Sequence, residues 1–483
     1  MSTTFSSLRT GRIPRILAPM ALVLALTATP SPPAVLAAPV APGTAPGPDI
    51  SPQPLDLDEA RTLALANDER IQLVAASVAA ARADARGARA DALPHLDLGG
   101  TWTRNLIKPA FFLPPDLAGG LGGATQVEMG GDWDLQAAAT ATLNLWTAGR
   151  LSAAAGAADA ALDATRWQQA AAQDGVLYAV DEAYYGVLRA DAQVAIAEAA
   201  LAAASEALRV TRASLDQGSA SRFDQLRAEV EVANRQTPLI AARNQRQLAA
   251  TALARICGLP LDRPLALTDS LGTVAAPAPL DTLLADMHAR SPELRALEHA
   301  VGARRQAVRL AKAGRGPILQ LQGRYALQGQ WDDDLLPGDH ETAGSASAAL
   351  AVTIPVFDGY AAKADIGRGE AELRRAQVEL ARVTRDRELG VRQARTYLEN
   401  ALAALGGRLE SVTLADESHR LALVRLENGL ATPLERLDAE MALTDARTQL
   451  AEVLYTCNVA RSALVLAVGT HAAPAAGQLE VSR

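Results

Sequence analysis

The chain has 483 residues, 49% apolar but only 4% aromatic, with a formal charge of −8. That balance excludes a nucleic-acid surface, which needs a concentrated basic patch, and alanine-rich apolar content favours long, closely packed helices over a thick globular core. The six histidines are scattered. With no H-E-x-x-H, cysteine pair, nucleophile elbow or phosphate-binding glycine loop, the residues call for no enzyme, metal or cofactor.

The first elements read as a secretory leader. Arg9, Arg12 and Arg15 precede the apolar run LAPMALVLAL and the small-residue site AVLAA, which predicts a signal peptide over about 1–37. Pro30, Pro32 and Pro33 leave the apolar run too short to span a bilayer. Cleavage near Ala37 removes three arginines and no acid, taking the formal charge from −8 to −11. Residues 38–54 form a Pro/Gly-rich linker without periodicity. Cys257 and Cys457 are the only cysteines and are expected to be free, buried thiols.

Beyond the linker the chain is written twice, over about 55–258 and 280–469, with a connecting segment at 259–279 and a tail at 470–483. QGSASRFDQLRAE, from Gln217, faces NGLATPLERLDAE, from Asn428, at one constant spacing, the mark of an internal duplication. In each copy a first helix runs to a proline, Pro94 or Pro317, followed by strand, loop and strand. The strands are predicted at about 96–105 and 132–145, and again at about 318–331 and 345–356. Long helices follow at about 147–217 and 360–428, ending at Gly218 and Gly429, and return helices at about 222–257 and 433–468 reach Gly258 and Gly469. Small apolar residues at three- and four-residue spacing require these helices to pair as coiled coils.

The strands alternate. DWDLQAAATATLNL places Trp133, Leu135 and Leu143 on one face and Asp134, Gln136 and Thr142 on the other; ILQLQGRYALQGQW does the same with Leu319, Tyr325 and Trp331 against Gln320, Arg324 and Gln330. Soluble half-buried strands alternate in this way too. About ten residues is also the length a tilted strand needs to cross a bilayer. Trp133 and Trp331 stand at loop-proximal ends, as interfacial aromatics do, and the loops are long, polar and rich in glycine and proline. Four strands cannot close a barrel, and an open edge in lipid leaves backbone groups unpaired. The chain must therefore associate: two copies supply eight strands and three supply twelve, enough for a lumen.

Signal, duplicated units, alternating strands and the repeated G-x-[AS]-[ST] turn together resemble the TolC-like outer-membrane efflux protein family. IPVFDGYAAKADIGRGEAEL, with Pro355, Phe357, Asp358 and Gly359, is similar to that family's strand exit; the first copy departs in having Asn144 where the second has Pro355. The resemblance implies a homotrimer in the outer membrane of a Gram-negative bacterium, with a twelve-stranded β-barrel continuing into a periplasmic α-helical barrel. It implies an export duct joined to a periplasmic adaptor and an inner-membrane resistance–nodulation–division or ABC transporter. Gly218, Ser219, Ala220, Ser221, Gly429, Leu430, Ala431 and Thr432 become the adaptor-contact tips, although a plain hairpin turn uses the same residue types. Asp224, Glu435 and Asp438 become the acids ringing the periplasmic constriction; acids at a helix start also simply complement the macrodipole. Ala431 and Leu426 depart from the arginine and tyrosine some members carry there, which removes that latch. The rival expectation is an exported trimeric coiled-coil stalk with soluble hairpins.

Overall fold

The computed structural model describes residues 53–108, 110–112, 126–128, 130–332, 337 and 342–469. The expected signal segment, residues 38–52 of the linker, the tail and parts of both strand-connecting loops lie outside them. The chain divides into two compact units, one holding Arg89–Leu151 and Ala313–Gly359, the other the described residues of Asp49–Ala88, Ser152–Lys312 and Tyr360–Arg483.

Numbered along the chain, the strands are β1 (Gln53–Leu55), β2 (His95–Arg104), β3 (Ala110–Phe112), β4 (Gln126–Glu128), β5 (Trp133–Trp146), β6 (Leu265–Leu267), β7 (Ile318–Trp331) and β8 (Thr342–Thr353). The helices are α1 (Leu57–Asn67), α2 (Glu69–Ala90), α3 (Arg150–Asp216), α4 (Arg222–Cys257), α5 (Leu280–Arg290), α6 (Pro292–Ala313), α7 (Ala361–Glu427) and α8 (Pro433–Val468).

The first unit is built on one four-stranded antiparallel sheet in the order β2-β5-β7-β8. Each copy contributes a hairpin, and the hairpins join through β5 and β7, where Trp133 faces Trp331. That register is broken once, between Asn144 and Trp146, so that Trp146 pairs with Leu319. Such a bulge bends a strand and re-aims its side chains. β8 stops at Thr353, short of the expected strand end, because Pro355 has no N–H to add to a ladder. The loop after β2 contains the short antiparallel pair β3/β4, whose three-residue strands are too brief to show an alternation.

The second unit holds two helical hairpins. α3 and α7 have 67 residues each, about 100 Å of helix at 1.5 Å per residue; α4 and α8 have 36 each. The single helix expected at the start of each copy is two. Asp68 leaves the helical conformation between α1 and α2 (ψ 128°), and its carboxylate accepts the Arg70 backbone N–H at 2.8 Å. Ser291 makes the equivalent break, where Pro292 opens α6. Each return helix ends on that break: a side chain on Gly258 would strike Asn67 Cβ at 2.4 Å, and one on Gly469 would strike Pro292 Cδ at 2.8 Å. Glycine is needed there for close approach as well as for its left-handed backbone.

Cores form around the two copies. Val180, Tyr184 and Val187 of α3 pack with Leu253 and Cys257 of α4 and with Leu55; Val391 and Leu398 of α7 pack with Leu464 of α8 and Met287 of α5. Leu55 opens the first copy as expected, and the last two residues of the linker expected over 38–54, Gln53 and Pro54, are already part of β1. That strand pairs in parallel with β6. The Tyr184 hydroxyl lies 3.0 Å from Leu55 O and 2.7 Å from Asp269 Oδ2, and the Leu57 N–H donates to the same Oδ2 at 3.1 Å.

Candidate channel wall and helix-hairpin tips

The register sorts the sheet into two faces. Facing residues in a ladder share a side and alternate along each strand. One face therefore carries Leu96, Leu98 and Trp102 of β2, Leu135 and Leu143 of β5, Leu321, Tyr325 and Leu327 of β7, and Ala346, Leu350 and Val352 of β8. The opposite face carries His95, Asp97, Thr101, Asp134, Gln136, Thr140, Asn144, Gln320, Gln322, Arg324, Gln328, Gln330, Ser345 and Ser347. Polar side chains on that face bond across strands: Gln330 donates to Asp134 Oδ2 and Gln320 to Asn144 Oδ1, both at 2.8 Å. On the apolar face Leu96, Leu98, Tyr325, Leu350 and Val352 are exposed. β2 and β8 each have one unpaired edge among the described strands.

The aromatics need a correction. Trp331, expected at a lipid interface, is 3% exposed within one chain; Gly131 lies against its backbone, and the indole is covered before any lipid arrives. Trp133 is partly covered, stacked at 5.5 Å on Trp102, with the Arg104 guanidinium 5.3 Å from its ring centre. The exposed indoles of the sheet are those of Trp102 and, at the opposite end, Trp146, which is 52% exposed. Trp146 escaped sequence reading because only the bulge before it brings it onto the apolar face.

The tips are two copies of one device. α3 ends with Gly218 at φ +75°, the Gly218 N–H donating to Leu215 O and the Ser219 N–H to Ser214 O. α7 ends with Gly429 at φ +71°, the Gly429 N–H donating to Leu426 O and the Leu430 N–H to Arg425 O. Both are Schellman endings, which need a left-handed residue after the cap. Ser221 and Thr432 then cap the return helices, accepting the Asp224 and Glu435 N–H groups at 3.2 Å.

Beyond the turns the copies diverge. The Asp224 carboxylate is turned back onto Ser221, accepting its N–H at 3.0 Å and its hydroxyl at 2.6 Å, a full capping box. These bonds hold its pKa below the usual carboxylate range. Glu435 instead lies 4.0 Å from Arg425, whose guanidinium also donates to Leu430 O at 3.1 Å. Asp438 stands exposed one turn along α8 from Glu435. The two acids share a flank, whereas Asp224 is engaged in capping. Arg222 bonds Gln225, and Arg436 pairs with buried Glu440 at 2.8 Å. Ser219, Ser221, Leu430 and Thr432 are exposed, while Ala220 and Ala431 are half-buried. Phe223 and Leu434, matched positions of the duplication, are exposed apolar side chains beside the turns; the repeat marks them, although their apolar character reads as core.

An amphipathic antiparallel sheet with two open edges, continuous in sequence with two paired helical hairpins, defines a membrane-strand protein with a helical extension. A profile of the outer membrane efflux protein family matches residues 60–259 and 283–470, and the chain belongs to that family. It is an outer-membrane protein with periplasmic helices. It is 27% identical over 297 residues to the outer membrane efflux protein BepC of Brucella suis, an alignment covering 62% of this chain and 64% of BepC. It is 25% identical to the pyoverdine export outer membrane protein OpmQ of Pseudomonas putida, covering 94% of this chain and 96% of OpmQ. The chain thus spans just under two thirds of BepC and nearly all of OpmQ. Among solved structures, the Campylobacter jejuni CmeC outer membrane channel superposes with a TM-score of 0.72 at 16% identity, covering 86% of this chain and 85% of CmeC. The open-state Neisseria gonorrhoeae MtrE channel gives 0.70 at 20% identity, covering 86% and 88%. These likenesses establish the fold. α8 is long and apolar enough to cross a bilayer by composition, but Cys457, Ala460, Leu464 and Val468 on it are buried in the helical cores.

Proposed function

We propose that three copies of this chain close a twelve-stranded barrel and form the outer-membrane exit duct of a tripartite efflux or type I secretion system. The observation that carries this reading is the four-stranded sheet with an apolar face, a polar face and free edges on β2 and β8. An edge cannot remain open in hydrocarbon. Neighbouring copies cover it edge to edge, turning the apolar face to lipid and the polar face to a wet lumen. Arg324 near mid-strand supports this orientation, because a guanidinium facing lipid at that depth costs several kcal/mol, roughly 2–4. A soluble stalk, the rival expectation, has no use for a continuous exposed apolar face.

Relatives of this chain include proteins named for efflux, alkaline protease secretion and pyoverdine export, so small-molecule and protein cargo both fall within the reading. The tips, from Gly218 to Ser221 and from Gly429 to Thr432, meet a periplasmic adaptor that couples the duct to an inner-membrane transporter. Phe223 and Leu434 add apolar contact beside them. Glu435 and Asp438, repeated by three-fold symmetry, form the acidic constriction and favour cations; Asp224 contributes mainly by holding its helix start. The test is single-channel recording of the purified protein in planar bilayers. Discrete, cation-preferring conductance is expected. A protein that inserts no pores, or that fractionates with the soluble periplasm, contradicts the reading.

A further inference from the structure

Arg324 is the seventh of the fourteen residues of β7 and lies on the polar face of the sheet. The ladder sets Thr140 of β5 directly opposite it on one side and Ser347 of β8 on the other. Facing residues of antiparallel strands hold their Cβ atoms roughly 4.5–5.5 Å apart, so a guanidinium stands between two hydroxyls in one row. Arg324 and Ser347 are exposed and Thr140 is half-buried. None of the three makes a side-chain hydrogen bond or ion pair with a described residue. The next row on this face, toward the strand-connecting loops, is Gly99, Ala138, Ala326 and Ser345. No side chain there is larger than serine, and successive rows on one face are about 7 Å apart. The guanidinium therefore borders a shelf with room for part of a ligand.

Wetting this face needs no charge, and the rest of β7 shows it. The other polar positions of that strand are Gln320, Gln322, Gln328 and Gln330. Position 324 alone carries a cation, and no acid stands beside it. Among the described strands the polar face holds two acids, Asp97 and Asp134. Asp97 shares the row but lies beyond Thr140, two strand spacings or about 10 Å away. That exceeds the Debye length of about 8 Å at physiological ionic strength. Asp134 is about 20 Å along β5 from Thr140 and already accepts from Gln330. A guanidinium without a carboxylate partner, flanked by two idle hydroxyls and a shelf of small residues, is a set of donors waiting for an acceptor.

We propose that Arg324, Thr140 and Ser347 bind an oxyanion group, such as a carboxylate, on cargo passing along the polar face. The proposal rests on the trimeric duct described above, in which the site recurs three times at one height of the lumen. The guanidinium offers the anion a bidentate fork, and each hydroxyl donates one further bond. A bound group exchanges water for these donors and dwells briefly before moving on. The strand-built section thereby favours anionic cargo over neutral cargo of the same size.

The test is single-channel recording of the full chain in planar bilayers, with citrate as the probe and glycerol as its neutral control. Citrate should interrupt the wild-type current and glycerol should not. R324Q should weaken the block about ten- to hundredfold, the effect of losing hydrogen bonds from a charged group. T140V/S347A keeps every charge and should still weaken the block by about fivefold, which a diffuse positive field would not produce. R324K, with the charge but no fork, should fall between wild type and R324Q. Pores that citrate does not block, or a block unchanged in R324Q, overturn the proposal and leave the duct reading standing. A block lost in R324Q but unchanged in T140V/S347A also overturns the site, reducing it to a field effect. A wild type that forms no pores removes the duct reading and this site with it. If R324Q does not insert, R324K and T140V/S347A still decide.

Discussion

The Arg61 guanidinium grips Asp181 through two bonds, Nε to Oδ1 at 2.8 Å and Nη2 to Oδ2 at 2.9 Å, and Asp181 is fully buried. Ser462 of α8 donates its hydroxyl to the same Oδ2 at 2.6 Å. One carboxylate on α3 thus ties together the first helix of copy one and the last helix of copy two. Arg61→Ala leaves that carboxylate buried without its guanidinium and should cost about 3–5 kcal/mol. Ser462→Ala removes one charge-assisted bond and should cost about 2 kcal/mol. Urea unfolding midpoints of the two variants should fall in that order; equal midpoints would show the pair to be incidental.

At the tips, Gly218 and Gly429 have positive φ and nothing within 4 Å of an added Cβ. Alanine there is strained only through its backbone, by about 1–2 kcal/mol. Amide hydrogen exchange at Ser219 and Leu430 should quicken roughly five- to thirtyfold in the two alanine variants. Asparagine, which tolerates the left-handed region, should lie between glycine and alanine.

Glu435→Ala with Asp438→Ala should lower cation preference, read as a smaller reversal potential under a salt gradient. Asp224→Ala should change that potential less, because its carboxylate is held in a cap. Equal effects from both variants would assign all three acids to the constriction alike.

The cap also fixes a pH dependence. Hydrogen bonds from the Ser221 hydroxyl and backbone hold the folded pKa of Asp224 below its ordinary value. The stability it adds is present above the ordinary carboxylate pKa and is lost as pH falls through the lower, folded value. Protection of the Gln225 amide should therefore decline in strongly acidic solution in wild type, beyond its intrinsic change, and show no such step in Asp224→Ala.

Burial pushes the Cys257 thiol up to about 11, and its Sγ lies 3.6 Å from Ala60 O. It should resist alkylation at neutral pH in the folded protein and react promptly in urea. Fast labelling of the native chain would place α4 away from α1.

Much of the fold was legible because it is written in long periods. Sixty-seven-residue helices and strands such as Trp133–Trp146 average their signal over many positions, and the duplication supplied each reading twice. Short features were not legible. β1 is three residues long, and Leu55 is buried by residues far along the chain, Leu265 of the strand it pairs with and Val180, Tyr184 and Leu253 of the helices beneath. The break at Asp68 sits inside a continuous helical pattern, where one backbone torsion decides, whereas the break at Ser291 is marked by Pro292, which disfavours the helical conformation in the residue before it. Trp331 and Trp146 exchanged exposure through a covering loop and a bulge, neither of which alternation encodes. At the tips, spacing found the turns but not the different tasks of Asp224 and Glu435, which depend on whether the residue ahead offers a capping box or the preceding helix an arginine.

Closure of the sheet by neighbouring copies is tested most directly by cysteine pairs scanned along the free edges, one on β2 around Gly99 and one on β8 around Ser347. Within a chain these strands are separated by β5 and β7, about 14 Å, beyond the roughly 7 Å a disulfide spans, so any bond formed joins two molecules. At one register, oxidation in the membrane should give a covalent ladder that stops at three chains. A ladder ending at two, one that continues without limit, or no linkage at any register would contradict a trimeric barrel.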